Sequence, residues 1–168
     1  SDIVGNYPNG LDKNVTINVT SEVSNISEHM FFFEGDNFNI GTPFYLHING
    51  NNNLTIDCHT GGGFRLDYCD NIIFHGIKFI NVSNYNAISV RELLSAIYLN
   101  VCNGIGIYNC SMDGLYPKSP LLDWGRYGIV CIDNNNITIA GCSLSNFGLR
   151  AIDIQNTKVV SILKCNIS

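Results

Sequence analysis

Charged residues are scarce in this sequence: Asp, Glu, Lys and Arg make up 14% of it, and the formal net charge is −5. The nine basic residues are spread along the chain, whereas a nucleic-acid-binding surface needs a clustered positive face. The composition therefore argues against nucleic acid as a partner. Hydrophobic residues make up 45% of the 168 residues, so the chain is not of the disordered class and can form one domain with a core.

The sequence also lacks the usual signals for metals, cofactors and membranes. None of its seven cysteines forms a CxxC pair and its four histidines are scattered, so we expect no zinc site. Gly61-Gly62-Gly63 is not followed by the Lys-Ser/Thr of a phosphate loop, and Gly104-Ile105-Gly106 lacks the third glycine of a dinucleotide site. No apolar run reaches the ~20 residues of a membrane span. We therefore expect no metal, no cofactor and no membrane span.

A pattern of alternating apolar residues recurs along much of the chain. Ile77, Cys110, Cys142 and Cys165 stand at equivalent points of it, 33, 32 and 23 residues apart. Around them, apolar residues recur at three further equivalent positions of each unit. These rows are Ile72, Ile105, Ile137, Val160; Phe74, Ile107, Ile139, Ile162; and Phe79, Met112, Leu144, Ile167. Period-two alternation predicts strands, and the residues between the apolar pairs predict a bend.

A further strand precedes each unit, joined to it by an Asn or Asp turn. It is marked by the pairs Phe64/Leu66, Ile97/Leu99, Ile129/Cys131 and Ile152/Ile154. We place Leu46 and Ile48 one repeat earlier in this strand, and Leu54 and Ile56 one repeat earlier in the strand that begins at Ile72. Strands this short need neighbouring units to bury their apolar faces. The repeat therefore predicts an all-β solenoid of about five to seven coils with three short strands each.

Two segments are similar to a known family. They are residues 134–144, Asn-Asn-Asn-Ile-Thr-Ile-Ala-Gly-Cys-Ser-Leu, and the triplet Tyr127-Gly128-Ile129. Both resemble the right-handed parallel β-helix superfamily, the pectate-lyase-like and tailspike-like solenoids, over about three quarters of the chain. The resemblance implies a single-stranded right-handed parallel β-helix and, as ligands, polysaccharides. The Asn-Thr-Asp, Asp-Asp and Gly-His-Gly segments of the polygalacturonase-like hydrolases are missing, as is the calcium-binding Asp cluster of pectate lyases.

The repeat also predicts where the coils begin and how the cysteines lie. We expect residues 45–168 to form the coils and residues 1–44 to supply N-terminal strands and a cap over the column. The last repeat unit is incomplete at Ser168, so we expect further coils or another chain, such as a trimer partner, at that end. Cys110, Cys142 and Cys165 are interpreted as a stack of buried thiols; a disulfide-bonded exported domain is the alternative.

Residues between the inward positions should point outward and form rows on the surface. One row is predicted to read His47, Arg65, Tyr98, Val130, Asp153, and the next is predicted to read Asp57, His75, Tyr108, Ala140, Leu163. The two long insertions, residues 84–96 and 113–126, should form a wall beside the first row. A groove between a rigid sheet and protruding loops is where binding residues gather.

Candidate site residues follow from this groove. Aromatic faces stack on sugar rings, and arginines bind hydroxyl and uronate groups; the predicted glycan-binding residues are Trp124, Arg126, Tyr98, Arg65, Arg150 and Tyr116. Glycoside hydrolysis needs two carboxylates, and Asp123 and Asp153 are the candidates, with Glu92 and Asp113 nearby. Each of these acids could equally be a solvated loop charge or the ion-pair partner of an arginine.

Three functions are compatible with these observations. The first is an extracellular, cell-surface or virion-surface domain that recognises polysaccharide along its outward row. The second is a polysaccharide hydrolase, lyase or epimerase, and the third is a structural spike or spacer. Two converging carboxylates would favour the enzyme, an exposed aromatic cleft would favour the binding module, and a buried Trp124 would favour the spacer.

Overall fold

The computed structural model describes residues 6–19, 31–33, 38–58, 62–82, 95–114 and 127–168. Strands account for most of these residues, and every strand pair among them is parallel. The all-β prediction is confirmed for the described residues. The strands are β1 Val15–Asn18, β2 Phe31–Phe33, β3 Leu46–Asp57, β4 Phe64–Asp67, β5 Ile72–Val82, β6 Ser95–Asn100, β7 Asn103–Tyr108, β8 Ser111–Gly114, β9 Tyr127–Ile132, β10 Asn135–Ala140, β11 Ser143–Ser145, β12 Arg150–Gln155, β13 Lys158–Leu163 and β14 Asn166–Ile167.

The strands lie side by side in three columns. The first column contains β2, β4, β6, β9 and β12. The second contains β1, the first parts of β3 and β5, and then β7, β10 and β13. The third contains the last parts of β3 and β5, followed by β8, β11 and β14. From β4 onward the chain passes through the columns in this same order at every repeat, because each short strand buries its apolar side chains only when it pairs with its neighbours.

The predicted inward rows have the register that the repeat implied. Ile107 pairs with both Phe74 and Ile139, and Ile139 pairs with Ile162. Likewise Met112 pairs with Phe79, and Leu144 pairs with Met112 and Ile167. Apart from Ile162 and Ile167, these side chains belong to one apolar core. Parallel pairing of equivalent residues stacks like side chains on one another and makes the apolar core continuous.

The prediction for β3 is wrong. Leu46 pairs with Ile72, and Leu54 pairs with Ile77; neither takes the place that the sequence suggested. Strand β3 is 12 residues long and therefore reaches through both the second and the third column. The strand that precedes Phe64 in the first column is β2, whose Phe31 pairs with Phe64. The N-terminal strands β1 and β2 thus extend the same columns as the later repeats.

Three cysteines of the predicted stack occupy one row. Ser143 pairs with Ser111 and with Asn166, which places Cys110, Cys142 and Cys165 in neighbouring turns. Cys110 and Cys142 are each 1% exposed, whereas Cys165 is only partly buried, and all seven cysteines are free thiols. The interpretation of the row as a stack of buried thiols is confirmed for Cys110 and Cys142, whereas Cys165 shares the row but is only partly buried.

The last turn exposes its apolar residues. Ile154, Ile162 and Ile167 are 37%, 44% and 53% exposed, while the residues with which they pair one turn earlier are 0% exposed. Among the described residues, the strands that pair with β12, β13 and β14 are β9, β10 and β11. No helix within the described ranges has the length and apolar character that a membrane span requires.

Candidate functional site

The row predicted as a binding surface lies on the outward side of the first column. Arg65, Tyr98, Val130 and Asp153 pair in succession, as expected. His47 does not belong to this row: it pairs with Ile73 in the second column. The error follows from the assignment of Leu46 and Ile48 to the first column. Because these inward residues lie in the second column, the outward residue His47 between them lies there too.

Most of this row is buried. Tyr98, Tyr127 and Val130 form a small apolar cluster and are 6%, 8% and 0% exposed. The guanidinium carbon of Arg65 lies 5.8 Å from the centre of the Tyr98 ring, and Arg65 Nε donates a 2.7 Å hydrogen bond to Asp67 Oδ2. Cation–π contact and ion pairing hold Arg65 in place. The predicted role of Arg65 and Tyr98 in glycan binding stays a prediction.

The predicted catalytic acid Asp153 is buried beside an arginine. It is 2% exposed, Arg150 Nη1 donates to its Oδ1 over 2.5 Å, and Gln155 Nε2 donates to its Oδ2 over 3.0 Å. The Arg150 side chain is 61% exposed. This is the ion pair that the sequence left open as an alternative to a catalytic role. Asp113 also has partners, since Asn146 Nδ2 donates to its Oδ1 over 2.6 Å.

The remaining predicted site residues lie outside the described part of the chain. They are Asp123, Trp124, Arg126, Tyr116 and Glu92. The two insertions that were expected to form a wall, residues 84–96 and 113–126, fall there except for their ends. The acid pair of Asp123 and Asp153 therefore stays a prediction.

An open cleft that the sequence reasoning missed lies on the outward side of the second column. It has a volume of about 110 Å³ and spans four turns; its lining residues are Tyr45, Ile73, Gly104, Ile105, Gly106, Tyr108, Asn136 and Thr138. Two of these lining residues are tyrosines and two are glycines. The Tyr108 ring lies against Gly106, where a Cβ would be 2.4 Å from Tyr108 Cε2.

A second cleft of about 110 Å³ lies beyond Tyr108, where the second column meets the third. Its lining includes Asn52, Gly76, Lys78, Asn109 and Ser111. Asn109 Nδ2 lies 3.0 Å from His75 Nε2, and His75 pairs with Tyr108. The two clefts thus follow one another along the outward surface. A further cleft beside Asp133 and Lys158 is lined by polar residues without an aromatic ring.

The sequence contained a signal for the first cleft, but it was read as unremarkable. The second outward row was expected to begin with Asp57, whereas the structure has Asn49 before His75. The glycines of this surface make room for side chains of the protein itself, since the Tyr108 ring lies over Gly106 and Asn71 Oδ1 lies over Gly104; in a sequence they are most simply read as turn residues. The repeat predicts that Gly106 lies between Ile73 and Thr138, and the pairing confirms it.

The buried thiols are the groups whose acidity is most perturbed. Burial raises the pKa of Cys131 and of Cys58 to about 12. A hydrogen bond with Cys110 lowers the pKa of Cys142 to about 7, and the same bond raises that of Cys110. In the described residues, no group of three His, Cys, Asp or Glu side chains is arranged to hold a metal ion.

Comparison with known proteins gives no family: no protein-family model, no curated protein and no solved structure matches this chain.

Proposed function

We propose that the chain is a right-handed parallel β-helix with three strands per turn and that its outward surface binds polysaccharide. The support for the helix is the passage of the chain through three parallel columns in one repeated order. Crossover connections between parallel strands are right-handed in nearly all proteins. A solenoid of this kind offers equivalent outward positions at intervals of about 4.8 Å, which suits a ligand with a repeating unit.

The observation that carries glycan binding is the cleft between Tyr45 and Tyr108. Tyrosine rings offer an apolar face to the C–H face of a sugar, while their hydroxyl groups bind polar substituents. Asn136 and Thr138 line the same cleft and offer an amide and a hydroxyl for hydrogen bonds with sugar hydroxyls. Aromatic faces with a few polar groups are typical of small-ligand sites.

The enzymatic alternative has weaker support among the described residues. Glycosidases need two carboxylates about 5–10 Å apart, one of them available to a water or to the sugar. Asp153 is buried and ion-paired with Arg150, and Asp113 accepts hydrogen bonds from Asn146 and Ser145. We therefore propose recognition without cleavage, at a cell surface, on a virion or outside the cell.

The test is binding to a glycan array, followed by titration of the best glycan with two variants. Tyr108→Ala removes one flank of the cleft and should weaken binding about tenfold or more, a loss of about 1.4 kcal/mol. Tyr68→Ala is the matched control, because Tyr68 is 44% exposed and does not line the cleft; its affinity should equal that of the wild type. Wild-type affinity in Tyr108→Ala, or no bound glycan at all, would refute the proposal. Shortened glycans in the incubation mixture would favour the enzyme instead.

A further inference from the structure

Three thiols follow one another in adjacent turns at the start of the third column. Ser143 N donates a 3.0 Å hydrogen bond to Cys110 O, and Asn166 N donates a 2.9 Å hydrogen bond to Cys142 O. This pairing places each cysteine beside the equivalent cysteine of the next turn. Neighbouring strands lie about 4.8 Å apart, which is within the range of about 4.4–6.8 Å between the Cα atoms of disulfide-bonded cysteines.

The thiols of neighbouring turns also influence one another, since interaction with Cys110, and to a smaller extent with Cys165, lowers the pKa of Cys142. Each thiol also lies near a carbonyl of the preceding turn: Cys142 Sγ is 3.5 Å from Ile107 O, and Cys165 Sγ is 3.6 Å from Ile139 O. These contacts place each sulfur against the backbone of the preceding turn.

Exposure distinguishes the members of the row. Cys110 and Cys142 are each 1% exposed, whereas Cys165, in the last turn, is only partly buried. A reagent dissolved in water therefore reaches Cys165 first. Cys142 lies behind it and is the thiol whose hydrogen bonds favour the thiolate, because they lower its pKa to about 7.

We propose that Cys142 and Cys165 are a redox-active pair, which a low-molecular-weight disulfide converts into a reversible bond between the last two turns. The thiolate of Cys165 attacks one sulfur of the reagent, RSSR; the reagent's S–S bond breaks and one RS⁻ leaves. The Cys142 thiolate then attacks the Cys165 sulfur of this mixed disulfide, and the second RS⁻ leaves. In total, two protein thiols and one RSSR give one protein disulfide and two RSH.

The geometry also makes the bond easy to reduce. Side chains stacked on parallel strands point in the same direction, so closing the bond requires rotation of both side chains and a small movement of the backbone. Strained disulfides are the more reducible ones. An excess of reduced thiol should therefore reopen the bond.

The experiment incubates the folded chain with hydroxyethyl disulfide, blocks the remaining thiols by alkylation and maps the tryptic peptides by mass spectrometry. Arg150 and Lys164 are cleavage sites between the two cysteines, so the disulfide joins two separate peptides. Cys131 is on the same peptide as Cys142, and the Cys131→Ala background removes that ambiguity. We expect the Cys142–Cys165 linkage as the main product, and we expect reduced glutathione to reverse it.

Two variants and one internal control separate this mechanism from general oxidation. Cys142→Ser should stop at the mixed disulfide on Cys165, and Cys110→Ser should still form the Cys142–Cys165 bond. The internal control is the pair Cys69 and Cys102, whose thiols are also hydrogen-bonded but are 1% and 2% exposed; it should stay reduced. Cross-linking of Cys69 to Cys102 at the same rate, or a folded protein with no Cys142–Cys165 linkage, would overturn the proposal. Circular dichroism of each variant confirms that the chain tested is folded.

Discussion

The side chain of Asn109 lies directly over Gly141 of the following turn. A Cβ at Gly141 would be 2.4 Å from Asn109 Oδ1, and the φ of Gly141 is 65°. The same arrangement recurs at Gly104, where a Cβ would be 2.4 Å from Asn71 Oδ1. Asparagine and glycine both tolerate a positive φ, which most other residues avoid. At these corners, the asparagine side chain of one turn therefore occupies the space that a Cβ would take at the glycine of the next turn.

Gly141→Ala should destabilise the fold through two separate effects. Alanine in the left-handed region costs about 1–2 kcal/mol, and its Cβ would also displace the Asn109 side chain. Gly41→Ala is the matched control, since Gly41 has a φ of 70° but no atom within 4 Å of its would-be Cβ. Urea unfolding should show a larger loss for Gly141→Ala than for Gly41→Ala. Equal losses would mean that contact with Asn109 contributes nothing.

Asn134→Ala should be more harmful than the same change at the next residue. Asn134 is 2% exposed; its Oδ1 accepts from Cys102 N over 2.7 Å and its Nδ2 donates to Leu99 O over 3.0 Å. Leaving these buried backbone groups without the side chain costs about 2–4 kcal/mol in total. Asn135 is exposed and bonds to Asn103 Oδ1, so Asn135→Ala should cost less than about 1 kcal/mol. A chemical-denaturation series on both variants decides, and similar costs would refute the assignment.

The buried thiols should make the fold sensitive to alkaline pH. The folded-state pKa of Cys131 is about 12, above its ordinary value of 9.0, so the folded chain keeps a proton that the unfolded chain releases. The contribution is fully present below pH 9, and between pH 9 and 12 each such thiol lowers stability by about 1.4 kcal/mol per pH unit. Cys131→Ala should reduce this slope relative to the wild type, and Cys58→Ala should do the same. Parallel slopes for wild type and variants, measured by urea midpoints at several pH values, would contradict it.

Arg150 and Asp153 should behave as a coupled pair. Arg150→Gln leaves the buried Asp153 carboxylate with less compensation, for a cost of about 1–3 kcal/mol, while Asp153→Asn in the Arg150→Gln background should restore part of that loss. Lys158→Gln is the control for removing an exposed positive charge and should change stability by less than about 0.5 kcal/mol. A double-mutant cycle measures the coupling. Strictly additive losses would show that the pair does not interact.

Much of the fold could be predicted because equivalent residues of successive units can be aligned directly from the sequence. Rows such as Ile107 over Phe74 and Leu144 over Met112 are preserved because the apolar residues keep the same spacing within each unit, with a period of two within a strand. The prediction failed at β3, where the spacing changes. An alternating segment has the same pattern in any column, so Leu46 and Ile48 could be placed in the first column or in the second with equal consistency.

The alternation of apolar and polar residues determined on its own that the chain is built from parallel strands, which residues face the core, and that Cys110, Cys142 and Cys165 share one row. Tertiary structure alone decided that Tyr98 and Asp153 are buried on an outward face and that two glycines and two tyrosines meet in an open cleft. The physical reason is the separation along the chain of the residues that set each property. Inward and outward directions follow from neighbours along the strand, whereas the exposure of an outward residue depends on which distant parts of the chain lie above it.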